Sequence, residues 1–510
     1  GAIVQYPAAD GKVCDYADFT AKAHEKGVLV TAVADLLSLA LLKAPGEWGA
    51  DIVTGSTQRL GTPMGFGGPH AGYMTTREQY KRNMPGRIIG VSVDRRGKRA
   101  LRMALQMREQ HIKRERATSN ICTASALMAS MVGFYCIYNG PEGLRRAAMT
   151  AHRAACNTAR ALEAMGYKLT NNTFFDTLDV EAEASVIQSI ALEEGINFYY
   201  PSDERVRLSF DEVTTDEEVE TVIRIFSTAK GKKAKAVKGD AESVIPASLV
   251  RTSGYLEEPV FNRYRSESAL MRYIKKLEHR DISLADSMIS LGSCTMKLNA
   301  AALMQPLSLS GFQNIHPFAP ADQTEGYTEL IAELERDLST ITGFAACSLQ
   351  PNSGAAGEYA GLMVIRAYHQ SRGQGYRNIV LIPASAHGTN PASAAMAGMK
   401  IVTVACDANG NIDIDFCTEM YSLWQKAYDV AENDKLKYNC RRSMVQMKFI
   451  MLIARSIKNG CVYPEENRAL ALEMKDIGII YHRESWTMAR GTTESLDEKA
   501  LTELAPHQWE

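Results

Sequence analysis

Small residues at Ser353, Gly354 and Ala355 form the segment of this chain that is best suited to bind an anion. The segment follows a short apolar run and precedes a predicted helix from Glu358 to about His369. Side chains of this size let a ligand approach the backbone, and the unpaired N–H groups of a helix N-terminus attract phosphate. The alternative is an ordinary tight turn that is capped by Asn352 or Ser353.

A second polar segment, Ser385–Ala394, comes after the predicted apolar strand Ile379–Ile382. It contains His387 and Thr389, whose ring nitrogens and hydroxyl group can form hydrogen bonds with a ligand. Because both segments adjoin regular elements and carry small or polar residues, together they favour a cofactor pocket over two unrelated turns.

The composition is that of a globular protein. The 510 residues leave room for about three domains. With 45% hydrophobic residues, 23% charged residues and a formal net charge of -2, the chain has no global attraction for nucleic acid or an anionic membrane. No apolar run is long enough to span a bilayer, and neither end resembles a signal or transit peptide. The ten cysteines lack a CxxC pair or a Cys/His cluster, so we expect no metal site and no disulfide framework.

The elements that must position these segments alternate between strand and helix patterns. In the first part, strands are predicted at Ala2–Gln5, Val28–Ala34 and Asp51–Thr54, with a helix at Tyr16–Lys26. This alternation predicts a mostly parallel sheet with crossover helices. A long helical region, residues 119–166, is followed by strand patterns at 168–169, 176–180 and 205–209, which predict a smaller α+β domain that closes near residue 228.

The second part begins after a Lys/Ala/Gly-rich linker, residues 230–238. Helices are predicted at Glu267–His279 and Thr328–Thr342, and a strand at Lys400–Ala405. Residues 420–510 are rich in Lys, Arg, Met and Glu and do not continue the α/β alternation.

Several segments together resemble the P-protein of the glycine cleavage system, a pyridoxal-phosphate-dependent family of fold-type I with two homologous halves. The segments are GAIVQYP (1–7), GSTQRLGTPMGFGGPHAGY (55–73), RALRMALQMREQHIKRERATSNICTA (99–124), LGSCTMKLN (291–299), HPFAP (316–320), QPNSGAAGEYAGL (350–362) and SAHGTNPASA (385–394). The resemblance covers about residues 1–415. It implies an α/β fold of the fold-type I, pyridoxal-phosphate-dependent transferase-like class, with parts of both halves.

The resemblance divides the chain into five parts. Residues 1–118 are expected to be a large-domain remnant of the non-catalytic first half, and residues 119–228 its small α+β domain. Residues 229–249 are a linker, and residues 250–415 are the N-terminal part of the catalytic second half. Residues 416–510 are an unmatched tail, for which we hypothesise an aberrant origin such as a frameshift.

The resemblance also implies roles for individual residues. Ser353, Gly354 and Ala355 would bind the cofactor phosphate. His387 would stack on the pyridine ring, unless it is only a polar loop residue. Thr389 would donate a hydrogen bond near the cofactor or cap the following helix. The glycine pocket would be lined by Ser293, Cys294 and Thr295, unless they form a simple turn.

The Schiff-base lysine of the family is not found. In the family it lies in a His-Lys pair before a glycine-rich run, and no His-Lys pair occurs in this sequence. In the first half, the corresponding position is occupied by Gln58, so the loop Gly65–Gly72 is interpreted as a structural or interface element. Asp407 could replace the aspartate that pairs with the pyridine nitrogen, but a surface turn explains it better. The catalytic residues therefore stay unknown.

The implied activity is the decarboxylation of glycine, with transfer of the aminomethyl group to the lipoyl arm of the H-protein. The intact family is expected to form homodimers in the bacterial cytoplasm or the mitochondrial matrix, without nucleic acid or membrane. Two alternatives stay open. The chain is a non-catalytic truncated or pseudo-subunit binding protein, or it belongs to another fold-type I enzyme.

A basic stretch, Lys81–Arg116, contains twelve Lys/Arg against three acidic residues. A nucleic-acid interface would require interleaved aromatic residues and a known binding module, and neither is present. The remaining interpretations are a solvated or intersubunit surface rich in ion pairs, and a docking surface for an acidic H-protein with salt-sensitive association.

Overall fold

The computed structural model describes residues 1–86, 88–105, 110–117, 125–232, 242–280, 282–283, 285–286, 300–429 and 444. The described strands are β1 Ala2–Tyr6, β2 Val30–Ala34, β3 Ile52–Ser56, β4 Gly72–Thr76, β5 Ile88–Val93, β6 Arg99–Leu105, β7 Lys168–Leu169, β8 Thr177–Glu181, β9 Tyr199–Ser202, β10 Arg205–Ser209, β11 Ile379–Pro383 and β12 Lys400–Val404. The α-helices are α1 Ala17–Glu25, α2 Gln110–Lys113, α3 Ala126–Ala164, α4 Ala184–Glu193, α5 Asp216–Ala229, α6 Val260–Arg263, α7 Glu267–Glu278, α8 Ala301–Met304, α9 Ser310–Gln313, α10 Glu325–Thr342, α11 Gly354–Ser371, α12 Thr389–Met396 and α13 Ile414–Asp429.

The chain falls into two compact units. The first consists of Gly1–Met84 with Cys122–Gly354, and the second of Pro85–Ile121 with Ala355–Glu510. The division into five parts that the resemblance implies is not tested by this structure and stays a prediction. None of the described helices is long and apolar enough to cross a bilayer.

The first unit contains a four-stranded sheet in the order β1-β2-β3-β4. Strands β1, β2 and β3 are parallel, whereas β4 runs antiparallel to β3. Val30, Ala32 and Ala34 alternate along β2 and are buried with Trp48 and Val53, because successive side chains of a strand point to opposite faces. The predicted parallel arrangement is confirmed for the three strands that the sequence pattern marked.

A second sheet in the same unit is antiparallel, in the order β7-β8-β10-β9. Helix α3 contributes side chains to two hydrophobic clusters. Leu144 and Ala148 are buried in one cluster with Tyr6, and Ala155 and Leu162 are buried in another cluster with strands β8 and β10. Helix α5, the last element of this part of the chain, ends at Ala229, near the boundary that the sequence predicts, while the separate α+β domain stays a prediction.

Helix α3 is not continuous. Gly140 adopts φ 60° and ψ -178°, and Pro141 follows it. Proline cannot donate an intrahelical hydrogen bond, and its ring clashes with the preceding turn, so the helix is interrupted here. A Cβ atom at Gly140 would lie 2.6 Å from the backbone oxygen of Phe261, so glycine is also required by space.

The second unit contains the parallel pair β11–β12, in register from Ile379 opposite Lys400 to Pro383 opposite Val404. Helix α12 connects the two strands, which makes this segment a βαβ unit. The same unit contains the antiparallel hairpin β5–β6 within the basic stretch, which the sequence analysis did not predict. Parallel strands joined by helices in both units confirm the α/β class.

Candidate functional site

Helix α11 begins at Gly354, four positions before the predicted start at Glu358. The prediction began too late because the glycines in Gly354–Gly357 are poor helix formers, whereas the intervening alanines are the best ones. Ser353 is half-buried directly before the helix, and Ala355 is buried. The residues predicted to bind an anion therefore lie at the N-terminus of a helix of 18 residues, a position that the first of the two interpretations requires.

The loop after β11 ends where α12 begins at Thr389. His387 is exposed, and its Nδ1 accepts a hydrogen bond from the backbone N–H of Thr389 at 3.1 Å. This contact fixes the ring orientation and places the proton of a neutral imidazole on Nε2. Thr389 is the first helical residue, and Gly388 occupies the N-cap without a side-chain hydrogen bond, so the capping interpretation of Thr389 was wrong.

A cavity of about 370 Å³ lies within the second unit, and none of the predicted site residues Ser353, Gly354, Ala355, His387 and Thr389 is among the residues that line it. It is lined by residues of α11, β11 and the loop before α12, namely Gly357, Glu358, Gly361, Leu362, Ile365, Val380, Leu381, Ile382, Pro383, Ala386 and Asn390. The hydroxyl group of Ser393, which is fully buried in α12, donates to Oε2 of Glu358 at 3.3 Å. The structure therefore brings the first turns of α11 and the His387 loop to one cavity.

Arg114 braces the same loop from a distant part of the sequence. Its Nη1 donates to the backbone oxygens of Ala384 at 3.4 Å and Ala386 at 3.1 Å. The sequence analysis missed this residue. Its only signal was its place in the basic stretch, because a contact across 272 positions leaves no local pattern.

Three further polar residues, Ser385, Cys406 and Asp407, follow the carboxyl ends of β11 and β12. The Ser385 N–H donates to Sγ of Cys406 at 3.4 Å, and the two side chains are 3.3 Å apart. Hydrogen bonding by Ser385 lowers the pKa of the Cys406 thiol. Backbone N–H groups, first that of Asn411, lower the pKa of Asp407, whose Oδ1 accepts from Asn409 and Asn411 at 2.8 and 2.9 Å. The surface-turn interpretation of Asp407 is confirmed.

Comparison with known proteins identifies the family. Residues 1–226 match the model of the family described as "Glycine cleavage system P-protein". A glycine dehydrogenase (decarboxylating) of Flavobacterium johnsoniae is 58% identical over 416 residues, which are 81% of this chain and 44% of the relative. One of Bacteroides thetaiotaomicron is 57% identical over 417 residues, again 44% of its length. This chain belongs to the P-protein family.

The chain thus spans less than half the length of these P-protein relatives. A solved structure of glycine decarboxylase (P-protein) of the glycine cleavage system, in an inhibitor-bound form, is 36% identical, with a TM-score of 0.42 over 45% of this chain and 55% of that chain. The P-protein family has the fold-type I class that the resemblance implies. The parallel strands with crossover helices of this chain agree with that class.

Two predictions about the site remain, one on residues 293–295 and one on Gln58. Ser293, Cys294 and Thr295 lie outside the described residues, so their place in a glycine pocket stays a prediction. Gln58 is described, and its Nε2 donates to the backbone oxygens of Pro63 at 3.2 Å and Met64 at 3.5 Å. The residue that the resemblance aligns with the cofactor lysine of the other half thus binds the loop that follows it.

The glycine-rich loop that follows Gln58 packs within the first unit. The N–H of Phe66 donates to the oxygen of Ile315 at 2.9 Å, and its ring stacks on Tyr327 with centroids 4.6 Å apart. Phe66 adopts φ 54°, a strained value that this packing stabilises. These contacts support the structural interpretation of the loop.

A half-buried ion cluster beside Gln58 was also not predicted from the sequence. Nη1 of Arg59 lies 3.0 Å from Oδ2 of Asp35 and 2.6 Å from Oδ2 of Asp176, and Nη2 lies 4.0 Å from Oε2 of Glu212. Asp35 follows β2, whereas Asp176 and Glu212 belong to the α+β part of the same unit. Three acceptors around one guanidinium group fix these segments to each other.

Proposed function

We propose that this chain provides the phosphate-binding segment of a pyridoxal-phosphate-dependent glycine decarboxylase. In this reaction glycine releases CO2, and the aminomethyl group passes to the lipoyl arm of the H-protein. Membership of the P-protein family supports the proposal, and the observation that carries it is the N-terminus of α11 beside the cavity. The homodimer and the H-protein partner are parts of the same proposal.

The residues at the start of α11 fit the phosphate end of the cofactor. A Cβ atom added at Gly354 would meet no other heavy atom within 4 Å, so a ligand has space at the first helical residue. The N–H groups of Gly354 and Ala355 and the hydroxyl group of Ser353 would hold the phosphate, and the partial positive charge of the helix end favours a dianion.

The His387 loop fits the opposite role, that of covering a planar ring. The hydrogen bond from Thr389 to Nδ1 and the two bonds from Arg114 to the loop hold the imidazole in one orientation without a ligand. Such preorganisation lowers the entropic cost of binding. When bound, pyridoxal phosphate supplies an electron sink for the electron pair that decarboxylation leaves.

Equilibrium dialysis with pyridoxal phosphate tests the phosphate site. Gly354→Asp adds a negative charge at the anion site, and we expect it to weaken binding at least about tenfold, since charge-assisted hydrogen bonds contribute about 1.5–3 kcal/mol each. Gly326→Asp is the matched control. Gly326 also lies in the first turn of a helix of 18 residues with open space around it, so the same substitution there leaves binding unchanged. Equal binding by both variants contradicts the site.

A non-catalytic binding protein is the second candidate, because the sequence contains no His-Lys pair. Glycine-dependent exchange of labelled bicarbonate into the carboxyl group of glycine separates the two. Exchange that depends on added pyridoxal phosphate supports the decarboxylase. Binding of pyridoxal phosphate without exchange supports a chain that retains the phosphate site but not the reaction.

A further inference from the structure

The β5–β6 hairpin exposes its large apolar side chains. Ile89 lies opposite Met103 and Val91 opposite Leu101, and these four side chains are 53%, 42%, 65% and 69% exposed, respectively. Val93 continues the same face and is 67% exposed. On the other face Gly90 and Ser92 are half-buried. A hairpin usually buries its larger apolar residues, and exposed apolar patches often mark interaction sites, so this reversed arrangement makes the face a candidate interaction surface.

The end of the hairpin is strongly basic. Arg95, Arg96 and Lys98 lie in the exposed turn, and Arg99 lies opposite Val93 on the apolar face. The single acidic residue of the turn, Asp94, uses Oδ1 to accept the N–H groups of Arg96 and Lys98 at 2.8 and 2.9 Å. Within the described part of the chain these four cations form no ion pair. Their charge is therefore available to a partner.

We propose that this face of the hairpin, defined by Ile89, Val91, Val93, Leu101 and Met103, is a docking surface for an acidic protein with an apolar centre. The apolar pairs would form the contact core, and the cations of the turn would form its rim. The proposal rests on the proposed function in one respect, since the acidic protein is then the H-protein that receives the aminomethyl group.

Other occupants fit the charges and side chains less well. Two copies of this chain joined by the same face would each bring an excess of positive charge, which opposes association. The sequence of the hairpin, residues 88–105, contains no aromatic residue that could stack on a base or anchor at a lipid headgroup. An acidic protein surface satisfies both the cations and the aliphatic pairs.

The test measures binding of purified lipoylated H-protein to the full chain by biolayer interferometry at about 50 and about 300 mM salt. The higher concentration shortens the Debye length to below about 8 Å and so screens the attraction between exposed charges. We expect wild-type binding to weaken at least tenfold at the higher salt concentration. Val91→Ser with Leu101→Ser should weaken binding at least tenfold at both salt concentrations. Arg95→Glu with Arg96→Glu should weaken it at least tenfold at low salt and remove most of the salt dependence.

Matched controls separate the hairpin from general surface effects. Val213→Ser with Ile341→Ser removes two apolar side chains that are 74% and 79% exposed elsewhere. Arg145→Glu with Arg146→Glu reverses two adjacent exposed arginines of α3. Both controls should bind H-protein within twofold of the wild type. Equal losses in the controls, or wild-type binding by the hairpin variants, overturn the proposal.

Two further measurements decide between occupants and keep the two proposals distinct. Sedimentation that shows a wild-type dimer, converted to monomer by Val91→Ser with Leu101→Ser, assigns the face to self-association and overturns the proposal. Binding of a single-stranded oligonucleotide that the same variants abolish also overturns it. Dialysis with pyridoxal phosphate on the same samples tests the proposed function alone, because the hairpin variants should retain cofactor binding.

Discussion

The loop after β3 and the loop after β11 occupy comparable positions, since each follows the carboxyl end of a strand that lies parallel to its neighbour. After β3, the side chains are used within the protein. Gln58 binds the oxygen of Pro63, and Arg59 is enclosed by Asp35 and Asp176. After β11, His387 is exposed and a cavity of about 370 Å³ adjoins the loop.

The difference shows that the carboxyl ends of parallel strands can be used in two ways. Ligands of α/β proteins bind at the carboxyl ends of the strands, where the loops leave polar groups without intramolecular partners. At one such edge an internal ion cluster joins two parts of the first unit. At the other edge a helix N-terminus and a cavity are present, the two features on which the proposed cofactor site rests.

The largest effect is expected from Arg59→Met, which leaves the three carboxylates of the ion cluster without their cation. Breaking a fully buried ion pair costs about 3–5 kcal/mol. Because Arg59, Asp35 and Glu212 are only half-buried, we expect the free energy of unfolding, measured by urea titration with tryptophan fluorescence, to fall by about 2 kcal/mol. Arg224→Ala removes an exposed ion pair with Glu194 and serves as the control, with a much smaller change. Equal losses in both variants would mean that the cluster does not hold the unit together.

An intermediate effect is expected from Ser393→Ala, which removes the hydrogen bond between α12 and Glu358 in the wall of the cavity. A net intramolecular hydrogen bond contributes about 1 kcal/mol. Hydrogen–deuterium exchange of the α11 and α12 peptides should therefore accelerate about fivefold, the factor that corresponds to 1 kcal/mol.

Ser371→Ala provides the comparison for this prediction. Ser371 also lies in α11, but it is exposed and donates only to the oxygen of Tyr368. Its exchange rates should match the wild type. Unchanged exchange in Ser393→Ala would show that the cavity does not depend on this bond.

The smallest effect is expected for the thiol group of Cys406, which follows β12. Ser385 lowers the pKa of Cys406, so Ser385→Ala should raise this pKa and reduce the thiolate fraction at a given pH. The pH profile of alkylation by iodoacetamide, followed by mass spectrometry of the Cys406 peptide, should move to higher pH. Ser385→Thr keeps a hydroxyl group and should restore the profile. A profile that does not move in Ser385→Ala would assign the low pKa to another cause.

The sequence predicted the elements whose signals are local. Alternating apolar residues defined β1 and β2 to within two positions, and the pattern of polar and apolar residues gave α7 and α10. The prediction placed a helix after Ser353 but began it four positions too late, and the anion site at its N-terminus stays a prediction. The hairpin was missed because charge was counted along Lys81–Arg116 while the alternation of Ile89, Val91 and Val93 was not considered.

Contacts between distant segments could not be predicted from one sequence. Arg59 meets Asp176 across 117 positions, and Arg114 meets Ala386 across 272. Arginine is common on surfaces, so its residue type alone does not indicate a buried partner. Only the folded chain shows that Arg59 binds carboxylates from distant segments and that Arg114 holds the loop before α12.

The contact between Arg114 and Ala386 also sets an order of events during synthesis. Translation at about 5–20 residues per second leaves an interval on the order of 15–50 seconds between the two residues. When Arg114 has been made, the hairpin β5–β6 has emerged or is about to emerge from the ribosome, but β11, α12 and β12 of the same unit have not yet been made. The second unit is therefore assembled from two segments that are synthesised far apart in time, and Arg114 has to wait for the oxygens that it binds until most of the first unit has been made.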